Sequence, residues 1–498
     1  MAPSPSIERI HTDVLIIGAG AAGLRAAIET RKKNVDVLIV CKGKVGRSGA
    51  TFYPSSPTRG IQASSGIGID TVDRHIQDIL NVGLGEADYN LAEILASEAP
   101  KRLEDLLTFG VGLAKRDGEI IREPGCFSKV PRAAIIENVG DFASCLINNV
   151  NRMGGKLYEQ LQIVKLFVTD NRIYGALGIG KAGEVVEIYA KAVIIAAGGG
   201  AGVFKNTLTH PEQVGDSYVL AVEVGARIRN IEFFQIMLGT FRPDYMGFFP
   251  IDLFRKSPVF RDAKGDSIFD KYISEDELNI AFAHRATHFL FSTRDSSKWI
   301  DVAVEDAYKS SAVSVNVDVK MFEIAPFAHA FNRGIVINER CETSVDGLYA
   351  CGEAATGMHG ADRIGGNMLS ATQVFGARAG LYAAEKSSRT INDGNPFRYE
   401  LPPIDCNNGL SISDLRVAIR DIKDVIFDCA LVIRSRKKCV NSLLILESIN
   451  NLIENAKIKD AQDSRLYFSL TNALKFSVIL IKAILSRREA IGPHYIIE

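Results

Sequence analysis

Apolar runs broken by glycine set the rhythm of this chain. Asp13-Val-Leu-Ile-Ile-Gly18 is short, β-branched and hydrophobic, which predicts a buried strand rather than a helix. It opens into Gly18-Ala-Gly20-Ala-Ala-Gly23, then a helical stretch over 24–32 and a second apolar strand over 35–40. Residues 72–82 and 87–109 carry a helical period, with Thr71, Asp88 and Asn90 as candidate caps. Residues 163–170 and 173–179, joined by Asn171-Arg172, predict a hairpin. A short strand over 184–190 follows, leading to the apolar run Ala192-Val-Ile-Ile-Ala-Ala-Gly-Gly-Gly200.

This alternation, sustained from Asp13 to about Gly225, predicts a doubly wound sheet with insertions. The texture then changes. Residues 230–326 are aromatic, charged and irregular, and Arg242-Pro-Asp-Tyr-Met-Gly-Phe-Phe-Pro250 reads as part of a mobile cap. The sheet is expected to resume with Gly334-Ile-Val-Ile-Asn338 and Gly347-Leu-Tyr-Ala-Cys351. The chain therefore divides into a first nucleotide-binding part (1–229), an inserted cap (230–326), a second nucleotide-binding part (327–391) and a C-terminal helical domain (392–498). In the last, a linker over 392–408 precedes helices predicted over 412–434, 440–456 and 467–488. The first carries one apolar face through Leu415, Ile419, Ile422, Ile426, Cys429 and Ile433. Arg434, Arg436, Lys437 and Lys438 are expected to form a solvated turn.

Two glycine-rich turns carry the candidate chemistry. At the first, Gly18 allows the tight turn, Gly20 lets the backbone approach a pyrophosphate, and Gly23 permits close helix–strand packing. The acid that reads a ribose in NAD sites belongs near the end of the second strand, yet Cys41-Lys42-Gly43 offers none, which argues against simple NAD binding. At the second turn, Gly352-Glu353 leads to His359-Gly-Ala-Asp-Arg-Ile-Gly-Gly-Asn367 and a helix starting near Asn367. Amides at such a start favour a carbonyl or anion, and Arg363 adds a cation shaped for a carboxylate.

Composition narrows the class. The 498 residues suffice for two or three domains. With 58 basic and 59 acidic residues, no charge excess points to nucleic acid. No run of 18 apolar residues suggests an integral membrane span, and residues 476–485, the nearest candidate, contain Lys482. Residues 1–11 lack the apolar core of a secretory signal, so a soluble cytoplasmic protein is expected. The eight cysteines form no CxxC pair and no metal-ligand spacing, so no bound metal is expected.

At its two glycine blocks the chain resembles the flavoprotein subunits of succinate dehydrogenase and fumarate reductase, together with L-aspartate oxidase, over most of its length. Arg47-Ser48-Gly49-Ala50-Thr51 is similar to that family's flavin-contacting turn, and Ala197-Gly198 to its second nucleotide contact. Gly215-Asp216 and Glu232-Phe-Phe-Gln235 match the entry to its cap, and Ala328-His329 its substrate histidine. Arg488-Glu489, Gly492 and His494-Tyr495 are similar to its C-terminal signature. The resemblance implies an α/β fold: a discontinuous Rossmann-like FAD-binding domain, an inserted α+β capping domain and a short C-terminal helical domain. It implies FAD against Gly18, Gly20, Ala21, Ala22, Gly23, Cys41, Lys42, Gly43, Arg47, Ser48, Gly49, Ala50, Thr51, Val164, Ala197, Gly198, Asp216, Gly352, Glu353, Asn367, Met368 and Leu369. In covalent members a histidine carries the flavin where this chain has Gly49, so the FAD is expected to be non-covalent.

His329 and Arg363 are the candidates for gripping a substrate carboxylate, and Asp252 and Arg255 echo the family's Glu-Gly-x-Arg relay. Met237 replaces the histidine of a His-Pro-Thr segment. The Arg-Asp pair expected ahead of His284-Arg285-Ala286 is missing, which puts Ile280 in the place of the proton-donating arginine. The expected activity is hydride transfer between FAD and a small carboxylate or amino-acid-like substrate, with oxygen or a partner protein taking the electrons. An aspartate-oxidase-like or fumarate-reductase-like enzyme, or a non-catalytic electron-transfer subunit, is the alternative.

Overall fold

The computed structural model describes residues 7–53, 59–243, 247–390, 399–454 and 456–498. Residues 244–246 of the expected cap segment, 392–398 of the expected linker and the domain boundary at 391 lie outside the described residues.

The Ile7–Ile17 strand is the axis of a seven-stranded sheet. It runs parallel to Val37–Cys41 on one side and to Val185–Ile195 on the other, and Val14, Leu15 and Ile16 are wholly buried. Such unbroken apolar runs are what a parallel sheet covered on both faces demands. Lys156–Glu159 extends the sheet beyond Val37–Cys41, and the hairpin Gln162–Thr169/Arg172–Ile179 closes the other side. The hairpin occupies the edge of Val185–Ile195 only as far as Tyr189; Leu348–Ala350 takes over from Val193.

Two expectations are corrected here. The segments 184–190 and 192–195 form one strand, Val185–Ile195, because its two ends are paired by different neighbours along the same edge. Ile335–Val336 does not rejoin the main sheet but pairs with Ala355–Thr356. The edge it was expected to occupy is already filled by the hairpin and Leu348–Ala350.

The helices Ala21–Lys32 and Asn367–Ser388 pack against each other beside the sheet. Gly380 makes this approach possible: a Cβ there would lie 2.1 Å from the Ala26 carbonyl oxygen. Of the expected caps, Thr71 and Asp88 each accept a backbone N–H, heading Val72–Val82 and Tyr89–Thr108. Asn90 instead lies inside the second helix.

Residues 234–331 build a second, five-stranded antiparallel sheet around Phe234–Arg242 and Lys320–Phe331. Its own core is aromatic, with Phe249, Phe254, Phe260, Phe269, Phe282 and Phe322 buried together.

The C-terminal helices run Ile412–Ala430, Arg436–Ile453 and Ser464–Ser486. The expected solvated turn between the first two is not one. Arg434 sits on a short strand, Ile433–Ser435, paired in parallel with Tyr495–Ile497. It is fully buried, and its Nη1 donates to the Glu232 carbonyl at 2.9 Å and lies 2.7 Å from His494 Nδ1. Only Lys437 and Lys438 of that basic run are exposed. Residues Ala461–Ser486 are long and apolar enough to cross a membrane by length and composition; 56% of that window is buried inside the fold.

Candidate active site

A cavity of about 580 Å³ runs from the first glycine turn to the seam with the second sheet. Its first stretch is lined by Gly18, Gly20, Ala21 and Ala22. Gly18 has φ of +110° and sits so close to the neighbouring strand that a Cβ would meet the Ala196 carbonyl oxygen at 2.3 Å. Gly20 faces open space, with nothing within 4 Å of where a Cβ would stand. Gly23 lies outside the cavity; a Cβ there would be 1.9 Å from the Gly18 oxygen, so its smallness seats the helix on the strand. The bare backbone at Gly20 and the free amides of the Ala21 helix form a cradle suited to a pyrophosphate.

Cys41, Lys42 and Gly43 come next, and the carboxylates absent from this strand end arrive from elsewhere in the chain. Lys42 Nζ lies 3.2 Å from Asp216, the first residue of the Asp216–Glu223 helix, and Asn472 donates to the same carboxylate at 2.7 Å. Glu212 also lines the cavity; a Cβ on Gly43 would lie 3.8 Å from its Oε2. Burial pushes the Cys41 thiol up to about 12, so it stays protonated.

Further along, Ser48, Gly49, Ala50 and Thr51 line one wall, the last three on the short Gly49–Phe52 helix. Gly49 has φ of +83° and nothing within 4 Å of a Cβ position. Ala197, Gly198 and Glu353 line the opposite side. Glu353 is buried and accepts the Phe331 amide at 2.9 Å, and burial raises its carboxyl to about 7. Met368 and Leu369 bring the first turn of the Asn367–Ser388 helix to the wall.

Several expected contacts fall elsewhere. Val164 points away from the cavity into a separate apolar cluster with Phe167, Leu177 and Ile179, while Ile163, one residue back on the alternating strand, lines the wall. Arg47 is exposed and outside the lining. Gly352, with φ of +69°, packs on Ala22, where a Cβ would meet that side chain at 2.7 Å. Asn367 also faces away: its Oδ1 lies 2.9 Å from His75 Nε2 in a buried pair. Gly352 and Asn367 thus support the wall rather than form it.

At the inner end His329 and Arg363 line the same cavity, beside Cys126, Met237, Phe248 and Phe289. His329 stands on the Lys320–Phe331 strand, and Gln235 on the strand paired with it. Arg363, 6% exposed, donates to Asn332 Oδ1 at 3.3 Å, to the Ile364 carbonyl at 3.1 Å and to Gln235 Oε1. All three acceptors are neutral, and among the described residues no carboxylate lies in ion-pair contact with this guanidinium. Burial lowers its pKa to about 10, which leaves it charged at neutral pH. Burial, and then the Arg363 charge, depress His329 to about 3, so its imidazole is neutral there. Its Nδ1 is buried without a hydrogen-bond partner in the protein.

The remaining candidates do not reach this end. Asp252 and Arg255 are exposed on a short 3-10 helix, Ile251–Lys256, whose one buried residue is Phe254. Ile280 is 54% exposed on the Glu275–Arg285 helix and has no part in the cavity wall. Arg285 is buried against Asp301. An Arg-Asp pair does stand nearby in sequence, after rather than before that segment, as Arg294-Asp295 just ahead of the Lys298–Tyr308 helix. Arg294 pairs with Asp362 at 2.9 Å, donates to the Val82 carbonyl at 2.9 Å and covers the Phe127 ring at 4.3 Å. Its signal in the sequence is the dipeptide itself ahead of an amphipathic helix.

Bare glycines at Gly20 and Gly49, two helix starts and a continuous cavity between them suit an extended dinucleotide carrying a ring at its inner end. The comparisons agree. The FAD binding domain family model matches residues 13–369. An uncharacterized FAD-dependent oxidoreductase of Methanocaldococcus jannaschii is 30% identical, over 98% of this chain and 93% of its own. A CoM/CoB fumarate reductase polypeptide of Methanothermobacter marburgensis is 26% identical, over 98% of this chain and 94% of its own. The Sdh1 structure of Mycobacterium smegmatis superposes with a TM-score of 0.81 at 24% identity, covering 98% of this chain and 89% of that one, and so shares the fold. The chain belongs to the FAD binding domain family of FAD-dependent oxidoreductases, and relatives named fumarate reductase and L-aspartate oxidase align with it over most of its length. It is an FAD-dependent enzyme.

Proposed function

We propose that this enzyme transfers a hydride between non-covalent FAD and the carbon next to a carboxylate in a small carboxylic or amino-acid-like substrate. The observation that carries this reading is Arg363, a buried cation with only neutral partners at the inner end of the cavity. An uncompensated buried charge is costly, and a substrate carboxylate is the group that would complete it. Flavin supplies two-electron hydride chemistry when bound. The chain's own residues do the rest. Arg363 fixes one end of the substrate, and neutral His329 offers its free Nδ1 as a second hydrogen-bonding atom. Met237, Phe248 and Phe289 exclude water around the reacting carbons. The first turn of the Asn367 helix reaches the cavity wall at Met368 and Leu369, where its positive end would favour an electron-rich ring.

The relatives support the substrate class: one acts, by its name, on fumarate and others on L-aspartate. Oxygen or an electron-accepting partner would reoxidise the flavin. A soluble cytoplasmic enzyme is part of the same reading, supported by the burial of more than half of the apolar Ala461–Ser486 window. The test is anaerobic bleaching of the bound flavin by a panel of succinate, aspartate, apolar amino acids and saturated monocarboxylates. The panel is matched by reoxidation of the reduced protein with the corresponding unsaturated acids. Silence across both arms would overturn the reading.

A further inference from the structure

Resting on that reading, we propose that the substrate is a monocarboxylate with an apolar tail, seated with its charge on Arg363 and its tail against Met237, Cys126, Phe248 and Phe289. Among the described residues, the inner end of the cavity carries one cation without an ion-pair partner. Arg363 supplies it, and the His329 imidazole beside it is neutral. The other cations of that region are already spent: Arg285 is held by Asp301 and Arg294 by Asp362, and neither lines the cavity. Lys42 is bound to Asp216 at the distant glycine-turn end, and His210, also in the wall, stands 3.9 Å from Glu212. Two exposed residues at the rim, Arg59 and Glu123, have opposite signs and add no net charge.

The wall facing the charge is soft and apolar. Met237 is 8% exposed and belongs to a cluster with Leu208, Leu290, Ala325 and Phe327, against which Cys126, Phe248 and Phe289 pack. Cys126 is held close to the Arg363 loop: its carbonyl accepts the Gly365 amide at 3.3 Å, and a Cβ on Gly365 would come within 3.5 Å of its Sγ. Burial raises the Cys126 thiol, so it presents a neutral, polarisable surface. A second carboxylate placed there would be desolvated with no cation to pair it, which is unfavourable, whereas seating a methyl or phenyl group against the same wall is favourable.

The reaction this arrangement fits is interconversion of a saturated acid and its 2-enoate. In the oxidative direction one carbon gives a hydride to FAD and its neighbour loses a proton, which passes out of the cavity to solvent. The two electrons leave with the hydride, and a C=C bond forms.

The test uses the FAD-loaded protein and acids of one chain length: butyrate against succinate, and crotonate against fumarate, each titrated by the change in flavin absorbance. The expected result is binding at least tenfold tighter for each monocarboxylate. Met237→Lys, which adds a cation to the apolar wall, is expected to shift the ratio at least tenfold towards the dicarboxylate. Equal or tighter binding of succinate and fumarate to the unaltered protein would overturn this inference while leaving the carboxylate reading intact. If no acid perturbs the flavin, both fall.

Discussion

Arg294 lies 2.9 Å from Asp362, an ion pair that ties the inserted sheet's lobe to the loop bearing Arg363. Ser292 adds a hydrogen bond to the same carboxylate at 2.7 Å. Burial raises Asp362 to about 6 even so, which shows how much the site depends on its partner. Arg294→Ala is expected to cost ~2–3 kcal/mol of stability, below the ~3–5 of a fully enclosed pair, because the Arg294 side chain keeps some solvent contact. Adding Asp362→Asn should recover most of that loss, since an amide needs no counter-ion. Urea unfolding of the single and double variants decides it; a double variant no better than the single would remove the ion pair from the account.

Arg363→Ala should weaken binding of any carboxylate ligand by ~1.5–3 kcal/mol, roughly 10- to 150-fold, the worth of a charge-assisted contact. FAD content should stay unchanged, because the dinucleotide cradle at Gly18 to Ala22 lies at the other end of the cavity. Arg363→Lys should recover only part of the affinity, as an ammonium cannot reproduce the planar fork that reaches Asn332, Gln235 and Ile364 together. Equilibrium titration with absorbance detection measures each; unaltered affinity in the alanine variant would exclude Arg363 from substrate binding.

Gly49 leaves the wall of the cavity bare where a flavin-linking histidine would stand. Precipitating the holoprotein in acid is therefore expected to release the whole of the yellow colour into the supernatant. Flavin retained in the pellet would reveal a covalent bond made by some other residue. Gly49→Ala should cost ~1–2 kcal/mol through its φ of +83° alone.

Where local chemistry decides the outcome, the chain could be read directly. The glycine turn at Gly18 to Gly23, the helix starting at Asn367 and the caps Thr71 and Asp88 follow from turn geometry and capping. His329 and Arg363 were legible through the ordered resemblance, and they meet in one cavity. Long-range placement was not legible. No periodicity shows that Arg434, in a run of basic residues, is drawn inward by the Glu232 carbonyl and His494. Nothing near Cys41 announces that Asp216, 174 positions from Lys42, completes that strand end. The cap was least legible, because in irregular, aromatic sequence nothing local shows that Ile280 is exposed on its helix while Arg294 is drawn onto Asp362.

Five buried histidines, His75, His288, His329, His359 and His494, are held below their ordinary value and give the stability a specific dependence on acid. Burial, reinforced by neighbouring arginines, depresses His75 to about 4, His329 to about 3 and His494 to about 3, so all three are neutral in the folded chain near pH 5. In the unfolded chain each takes a proton near its ordinary value of about 6.5, so below that pH unfolding binds protons and stability falls as pH drops. Each histidine contributes ~1.4 kcal/mol per pH unit in that window, until the pH reaches its folded value. Glu353 and Asp362, raised to about 7 and about 6, act in the opposite sense, since the folded chain holds their protons more tightly. The total slope therefore mixes both signs, and a single substitution isolates one contribution. His494→Gln removes the titration while keeping a side-chain acceptor for Arg434. The stability advantage of the unaltered protein over this variant should shrink by ~1.4 kcal/mol per unit as pH falls from about 6.5 to 4.5. Urea midpoints at pH 7.5, 6.5, 5.5 and 4.5 measure that difference. A constant gap across the series would mean that His494 takes up its proton at the same pH in the folded and unfolded chain, and so is bonded to Arg434 differently from the arrangement described.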